Sequence, residues 1–240
     1  MIDLYYWPTP NGWKITIALA ELGLERGRDW NMKPVDIGRG EQFAPAFLAI
    51  SPNNRMPAIV DHEPTGGGAP ISVFESGAIL LYLAEKTGRF IPADLRGRKT
   101  ALEWLMWQMG GLGPMLGQNG HFLLYAPQPI PYAIERYGNE AKRLYSVLDG
   151  RLERTGAFVA GAVYSIADIA SFSWIRTHRA QGMALDDYPA LKRWYDALYE
   201  RDAVKRGLAV GEELRRSGLD DAARKALFGQ TRRGDALRPR

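Results

Sequence analysis

The chain has 240 residues, of which 46% are hydrophobic and 24% are charged, with a formal net charge of +4. A chain of this length buries on folding roughly 70–75% of the surface that its unfolded form exposes. One large or two small domains can therefore fold without disulfide bonds or other cross-links. It contains no cysteine, which excludes disulfides, zinc–thiolate sites, iron–sulfur clusters and a cysteine nucleophile. Any thiol chemistry must therefore use the sulfur of another molecule.

The positive charge is concentrated near the C-terminus. Residues 212–240 hold eight Lys and Arg against five Asp and Glu, a net +3, which leaves +1 for residues 1–211. A basic terminus of this kind is more often a solvated tail than an arm for polyanions, and we expect no nucleic-acid partner. No apolar run approaches the roughly 20 residues that cross a bilayer, and the N-terminus lacks a signal-peptide pattern. We therefore expect a cytoplasmic protein without a membrane partner.

The first 86 residues predict an α/β domain in the order βαβ, then ββα. Helices are predicted at 13–22, from apolar residues at three- and four-residue spacing, and from 75 through 83. The glycine run 66–68 predicts the connection between the last two strands. Four strands are predicted from short β-type runs bounded by turn-forming residues, at 2–7, 31–37, 56–61 and 71–74.

After a linker at about 86–96 the patterns are helical only. They predict an all-α domain at 97–211, followed by a basic tail at 212–240. Ser165 and Asp168 have the spacing of a capping box, which is a structural signal and not a catalytic one. The helical patterns are rich in large apolar residues and lie at 102–107, 134–152, 166–175 and 191–198.

Thr9 and Asn11 lie between the first strand and the first helix, where a hydroxyl and an amide can both donate hydrogen bonds. A thiolate placed there would receive charge-assisted hydrogen bonds of about 1.5–3 kcal/mol each, besides the helix dipole. Lowering a thiol pKa of about 8.5 by two units needs only about 2.7 kcal/mol, and raises the thiolate fraction at pH 7 from roughly 3% to roughly three-quarters. The alternative is an ordinary turn with left-handed Asn and Gly.

Pro57 follows Met56 at the start of an apolar strand pattern. If the bond between them were cis, the turn would expose the Met56 N–H and C=O to an extended peptide ligand, which would pair with them like an added strand. The alternative is an ordinary trans proline at the start of a strand. The residue pair alone does not decide between these.

Glu75 and Ser76 stand at the start of the next predicted helix. A helix N-terminus has unpaired N–H groups and a partial positive charge, so it attracts a carboxylate, while Glu75 would hold an ammonium beside it. The pair therefore fits an amino-acid zwitterion. The alternative is that Ser76 is a simple N-cap and Glu75 a solvated acid.

Together these motifs resemble the glutathione transferases. The resemblance covers about residues 1–205 and implies an α/β N-terminal thioredoxin-like domain followed by an all-α C-terminal glutathione transferase domain. It is carried by Pro8-Thr9-Pro10-Asn11-Gly12, Ser51-Pro52-Asn53-Asn54-Arg55-Met56-Pro57, Phe74-Glu75-Ser76-Gly77 and Tyr164-Ser165-Ile166-Ala167-Asp168. A narrower resemblance, to the bacterial nu-class enzymes described as glutathione-dependent disulfide-bond oxidoreductases, is carried by Trp107-Gln108, Gly110-Gly111-Leu112-Gly113-Pro114-Met115 and Pro131-Tyr132-Ala133-Ile134-Glu135-Arg136-Tyr137.

The resemblance also implies roles for single residues. Thr9 and Asn11 would face the glutathione sulfur as the catalytic pair, and the Met56 backbone before a cis Pro57 would pair with the cysteinyl part. Glutathione would be a cosubstrate, two reduced or one oxidised per site, in a homodimer whose second subunit lies across the cleft and contributes residues around 103–107. The remaining glutathione contacts would come from Gln42, Glu75, Ser76 and Arg136.

Three functions use such a site. The first is glutathione-dependent reduction of small disulfides, with hydroperoxides as further candidate substrates, in which the bound thiolate itself attacks sulfur. The second is conjugation, in which the same thiolate attacks an electrophilic carbon. The third is a non-catalytic glutathione-binding regulatory protein. No metal is expected, because the three histidines, His62, His121 and His178, lack metal-ligand spacing.

Overall fold

The computed structural model describes residues 1–215 and 218–229. The parts of the predicted tail at 216–217 and 230–240 lie outside the described residues. None of the helices within the described ranges has the length and apolarity that crossing a bilayer requires.

The N-terminal domain is built on one four-stranded mixed sheet in the order β2-β1-β3-β4. Strand β1 pairs parallel with β2 and antiparallel with β3, and β3 pairs antiparallel with β4. The parallel pair encloses the first helix and the last pair is a hairpin, so the predicted βαβ and ββα units are confirmed. The strands are β1 Ile2–Tyr6, β2 Trp30–Pro34, β3 Ala58–Asp61 and β4 Ile71–Phe74.

The first helix, α1, spans Pro10–Glu21 and not the predicted 13–22. Its N-cap is Thr9, whose hydroxyl accepts a hydrogen bond from the Gly12 N–H at 3.3 Å. Pro10 at the first helical position costs nothing, because its missing N–H would be unpaired there in any residue. Pro10, Asn11 and Gly12 are therefore the first turn of a helix and not a loop before it.

Two more helices complete the N-terminal domain. Helix α2 is a single turn at Pro45–Leu48, which the sequence patterns did not predict. Helix α3 spans Ser76–Thr87 and ends on Gly88, which has a left-handed φ of 66°. It is one turn longer than predicted because Ala84, Glu85, Lys86 and Thr87 continue the helix to that glycine stop.

The second domain contains helices only, within the described residues, so the predicted fold class is confirmed. Each predicted helical pattern lies within a longer or equal helix: α4 Leu95–Trp107, α6 Pro131–Thr155, α7 Ile166–Ile175 and α8 Pro189–Tyr199. The sequence patterns missed α5 Gly113–Gly120, α9 Asp202–Ala209 and α10 Asp221–Phe228. Two π-helical segments, Gln108–Leu112 and His121–Tyr125, flank α5. Such segments are rare and often lie at functional sites.

The predicted capping box at the start of α7 is confirmed. The Ser165 hydroxyl accepts from the Ala167 N–H at 3.3 Å, and the Asp168 carboxylate accepts from the Ser165 N–H at 3.0 Å. Asp168 also accepts from the Val159 N–H and from the Trp194 indole N–H. This buried carboxylate therefore joins the start of α7 to the preceding loop and to α8.

Helix α1 joins the two domains, because it packs against α3 on its own side and against α7 and α9 on the other. One apolar cluster runs from the sheet through α1 into the helical domain. Two polar ties reinforce this contact. Arg201 holds the Glu21 carboxylate through two hydrogen bonds of 2.6 and 2.8 Å, and the Tyr6 hydroxyl donates to the Val210 carbonyl at 2.9 Å.

Part of the predicted tail folds back onto the helical domain. Within α10, the Arg224 guanidinium donates to the Tyr125 carbonyl at 2.8 Å. The Phe228 ring lies 4.7 Å from the His121 ring and 5.6 Å from the Tyr125 ring, centroid to centroid. The stretch 218–229 is therefore a packed element and not the solvated tail that the sequence predicted.

The close contact between α1 and α9 makes a stability prediction. A Cβ added to Gly207 would lie 2.6 Å from the Ile17 Cα, so Gly207→Ala forces the helices apart. We expect a loss of about 1–3 kcal/mol in the free energy of unfolding, measured by urea denaturation, because overpacking displaces backbone.

The matched control is Gly150→Ala in α6, where Gly150 is half-buried and an added Cβ meets nothing within 4 Å. Alanine there should stabilise by about 0.5–1 kcal/mol, since it is the better helix former. Equal effects of the two substitutions would contradict the close contact between α1 and α9.

Candidate functional site

A cleft of about 450 Å³ lies between the two domains, at the N-terminal ends of α1 and α3. The helical domain closes one side of the cleft with the π-helical segment Gln108–Leu112 and with α5. Six of the eight residues predicted for the site line this cleft: Thr9, Asn11, Met56, Pro57, Glu75 and Ser76.

Thr9 and Asn11 both present donors to the cleft. The Thr9 oxygen accepts from the Gly12 N–H, so its proton remains for donation, and its acceptor in the structure is the Met56 sulfur at 3.8 Å. The Asn11 Oδ1 accepts from the Trp174 indole N–H at 3.0 Å, so the amide nitrogen remains for donation. A hydroxyl and an amide oriented in this way, at a helix N-terminus, suit an anion such as a thiolate.

The Met56–Pro57 peptide bond is cis. The bond directly precedes β3, where Pro57 is buried and Met56 is half-buried at the cleft wall. Of the two readings that the sequence left open, the structure has the cis form.

Glu75 and Ser76 stand at the N-terminus of α3. Glu75 is the N-cap residue, with a left-handed φ of 70°, which is uncommon for a residue other than glycine. Its carboxylate is exposed and accepts from the Asn53 side-chain amide at 3.3 Å. Ser76 is the first helical residue and is buried. An exposed acid and a buried hydroxyl therefore stand side by side, as a zwitterion requires.

Lys14 is a site residue that the sequence analysis missed. It lies one turn after Asn11 on α1, lines the cleft and is only 1% exposed. Its ammonium donates to the Ser76 hydroxyl oxygen at 3.1 Å and to the Gln108 side-chain oxygen at 2.6 Å. Burial lowers the pKa of Lys14 to about 7, although the Glu75 charge raises it. The available signal was a single lysine inside the apolar run Trp13-Lys14-Ile15-Thr16-Ile17.

Gly113 leaves room for two side chains of the helical domain that line the cleft. A Cβ on Gly113 would lie 2.7 Å from the Gln108 side-chain nitrogen and 3.1 Å from the Trp174 indole nitrogen. The Gly110–Met115 motif, which carried the family resemblance, thus lets Gln108 and Trp174 pack against its backbone. The sequence analysis assigned no role to either side chain.

Gln42 and Arg136 are not among the residues that line the cleft. Gln42 is buried in a 3₁₀ turn at Glu41–Phe43, where its amide nitrogen donates to the Ile37 carbonyl at 3.3 Å. Arg136 lies exposed on α6. The glutathione contacts assigned to these two residues stay predictions. Within residues 1–215 and 218–229, no group of three or more acidic or histidine side chains is arranged to hold a metal ion.

Comparison with known proteins follows this division into two domains. The family model for the glutathione S-transferase N-terminal domain matches residues 1–85, and the model for the C-terminal domain matches residues 125–202. The Escherichia coli (strain K12) protein Disulfide-bond oxidoreductase YfcG is 56% identical over 208 residues, which cover 87% of this chain and 94% of that protein.

Solved structures agree with this family. A glutathione transferase family member from Pseudomonas fluorescens Pf-5, crystallised with two glutathione bound, is 42% identical with a TM-score of 0.79, covering 86% of this chain and 92% of its own. A glutathione transferase from Pseudomonas putida, with one glutathione disulfide bound per subunit, is 40% identical with a TM-score of 0.81, covering 88% and 91%. With both domain models matched, the interdomain cleft in place and relatives aligned over most of their length, the chain belongs to the glutathione S-transferase family.

Proposed function

We propose that this protein is an enzyme that reduces small disulfides with glutathione. The observation that carries the proposal is the pair of donors that face the cleft at the N-terminus of α1, a hydroxyl whose acceptor is only a thioether sulfur and an amide nitrogen, in a chain that has no cysteine of its own. The relatives support it, because one is named a disulfide-bond oxidoreductase and two were crystallised with two glutathione or one glutathione disulfide.

The thiolate of a bound glutathione would receive hydrogen bonds from the Thr9 hydroxyl and the Asn11 amide nitrogen. Trp174 keeps the amide in this orientation, because its indole N–H can pair only with the Asn11 oxygen. Each bond to the charged sulfur contributes about 1.5–3 kcal/mol, and the dipole of α1 adds to them. Together they lower the thiol pKa enough for the thiolate to dominate at neutral pH.

The rest of the tripeptide would extend along the cleft wall. The Met56 backbone before the cis bond to Pro57 offers its N–H and C=O to the cysteinyl part. The γ-glutamyl end would place its carboxylate at Ser76, on the N-terminus of α3, and its ammonium at Glu75. Gln42 and Arg136 do not line the cleft in this structure, and their contacts with glutathione stay predictions.

The reaction needs two glutathione molecules. The first thiolate attacks one sulfur of the substrate disulfide, forming a mixed disulfide and releasing the other sulfur as a thiolate, which takes up a proton. A second glutathione thiolate then attacks the glutathione sulfur of the mixed disulfide, releasing the second substrate thiol and leaving glutathione disulfide. Both electrons come from the two glutathione thiols. Such chemistry needs a reducing compartment, and we propose the cytoplasm.

The first test uses isosteric substitutions at the thiolate-binding pair. Asn11→Asp keeps the oxygen that Trp174 needs but replaces the donating amide with a carboxylate, and Thr9→Val removes the hydroxyl. We expect either change to raise the pKa of bound glutathione by about 1–2 units and to lower disulfide turnover at pH 7 about 10–100-fold. Ultraviolet absorbance of the thiolate against pH measures the first quantity, and a coupled disulfide-reduction assay measures the second.

The matched control is Thr87→Val, because the Thr87 hydroxyl donates to the Leu83 carbonyl at the far end of α3. This variant should keep the wild-type pKa and turnover. Wild-type protein that binds glutathione without reducing disulfides would refute the proposed reaction. Conjugation and hydroperoxide reduction use the same thiolate and stay predictions.

We further propose that the protein is a homodimer formed through the exposed stripe of α4. Leu95 is 83% exposed and Met106 is 57% exposed, and with Leu102 they lie along one side of this helix. Exposed apolar stripes of this kind mark interaction surfaces. Because α4 leads directly into Gln108 at the cleft, a second subunit on this stripe would stand beside the site.

Met106→Asp should therefore convert the dimer to a monomer, because it places a charge within the apolar stripe. Val163→Asp is the control, since Val163 is 59% exposed and is not part of the α4 stripe. Sedimentation equilibrium of both variants measures the effect. A wild-type monomer, or a Met106→Asp dimer as stable as the wild type, would argue against the α4 interface.

A further inference from the structure

Lys14 is a buried cation in contact with neutral atoms. Its ammonium touches the Ser76 oxygen at 3.1 Å, the Gln108 oxygen at 2.6 Å and the Met109 sulfur at 3.1 Å. Among the described residues, no carboxylate lies within ion-pair distance of this nitrogen. Burying a charge without an opposite charge is costly, so a protein that keeps one at a cleft has a reason outside ordinary packing.

Among the described residues, two other buried charges have oppositely charged partners. The Asp61 carboxylate is paired with Lys86 and accepts from the Tyr82 hydroxyl. The Glu21 carboxylate is held by Arg201. Lys14, like the buried Asp168 carboxylate, has hydrogen-bonding neighbours and no counter-charge, but Lys14 lines the cleft. The cleft that it lines is where an anionic ligand would supply one.

The contacts of Lys14 fix the orientation of two further polar groups that line the cleft. Since the Ser76 oxygen accepts from Lys14, its own proton can be donated, and its acceptor in the structure is the weakly accepting Met109 sulfur at 3.6 Å. Since the Gln108 oxygen also accepts from Lys14, the amide nitrogen is the free end of that side chain. This nitrogen is buried and has no hydrogen-bond partner among the described residues, although Gln108 lines the cleft.

We propose that Lys14 is a positioning residue that supplies the counter-charge for the glutathione carboxylate at the N-terminus of α3, and that it must be protonated for tight binding. This inference rests on the proposed glutathione site. The Lys14 ammonium acts on the ligand carboxylate through the Ser76 hydroxyl, to which it donates a hydrogen bond. The exposed Glu75 carboxylate pairs with the ammonium group of the ligand. Charge at the γ-glutamyl end is then balanced on both sides: Lys14 and the helix dipole face the carboxylate, and Glu75 faces the ammonium.

The coupling between binding and protonation follows from the charges around Lys14. Burial lowers its pKa to about 7, so near pH 8 about nine-tenths of the empty protein carries a neutral Lys14. A carboxylate bound at Ser76 raises that pKa, and binding then takes up a proton. Near pH 6 Lys14 is already protonated and takes up almost none. Of the groups that contact or act on Lys14 in the described structure, Glu75 is the one with an ionisable side chain.

Calorimetry of S-methylglutathione binding in buffers of different ionisation enthalpy tests the proposal. This probe has no thiol, so proton release from sulfur does not contribute. The amino group of the probe can itself take up a proton. The deciding quantity is therefore the difference between wild type and Lys14→Gln in the number of protons taken up on binding. The glutamine keeps a hydrogen-bond donor but not the charge. Lys14→Met removes both, and Lys192→Met on the exposed side of α8 is the control.

We expect wild type near pH 8 to take up about 0.5–1 proton more than Lys14→Gln, and the two to take up equal amounts near pH 6. Near pH 6, Lys14→Gln and Lys14→Met should both bind at least about tenfold more weakly than wild type. Lys192→Met should match wild type. Thermal unfolding and circular dichroism check that each variant is folded. If Lys14→Gln does not fold, the comparison of Lys14→Met with wild type decides the test instead.

Two results would overturn the proposal. If Lys14→Gln binds S-methylglutathione as tightly as wild type with the same proton uptake, Lys14 is a structural donor only, and the glutathione site stands without it. If wild-type protein binds neither S-methylglutathione nor glutathione, the glutathione site itself is wrong and this inference falls with it.

Discussion

Burial of helix α1 on nearly every side is the constraint on which the rest of the structure depends. Nine of its twelve residues are buried, because the sheet and α3 cover one side while α7 and α9 cover the other. Gly207 brings the α9 backbone against Ile17. A helix covered in this way can meet solvent only at its ends. Its N-terminus opens into the cleft, so Thr9, Asn11 and the domain interface are parts of one arrangement.

This arrangement explains why Lys14 is buried although it lines the cleft. On an ordinary surface helix, the position one turn after Asn11 would carry a solvated side chain. Here the π-helical segment Gln108–Leu112 of the helical domain covers Lys14, and its ammonium contacts Gln108 and Ser76 instead of water. Burying this cation costs free energy, and the same contacts fix the orientation of the Ser76 hydroxyl and the Gln108 amide at the cleft. Packing between the domains thus sets the electrostatics of the site.

Much of the fold could be predicted because it rests on local patterns. The four strands, the capping box at Ser165 and the longer helices follow from periodicity and turn chemistry. Thr9, Asn11, Glu75 and Ser76 could be singled out because turn formers and helix starts leave local signals in the sequence, although the start of α1 was predicted three residues too late. The roles of Lys14, Gln108 and Trp174 were missed because each depends on a contact between segments far apart in the chain, up to 163 residues for Trp174 and Asn11. Helices as short as α5 and α9 also have too few residues for the spacing of their apolar side chains to predict a helix.

A chain without cysteine can catalyse sulfur chemistry only by controlling the charge and position of another molecule's thiol. The proposed function divides this work between two helix N-termini. At α1, neutral donors from Thr9 and Asn11 would stabilise the reacting sulfur without competing for its proton. At α3, charged groups would hold the non-reacting end of the tripeptide, and their binding energy would position the sulfur for attack. Separating the neutral reacting end from the charged anchoring end lets the anchor be strong without quenching the nucleophile, since a full cation beside the thiolate would stabilise it at the expense of its nucleophilicity.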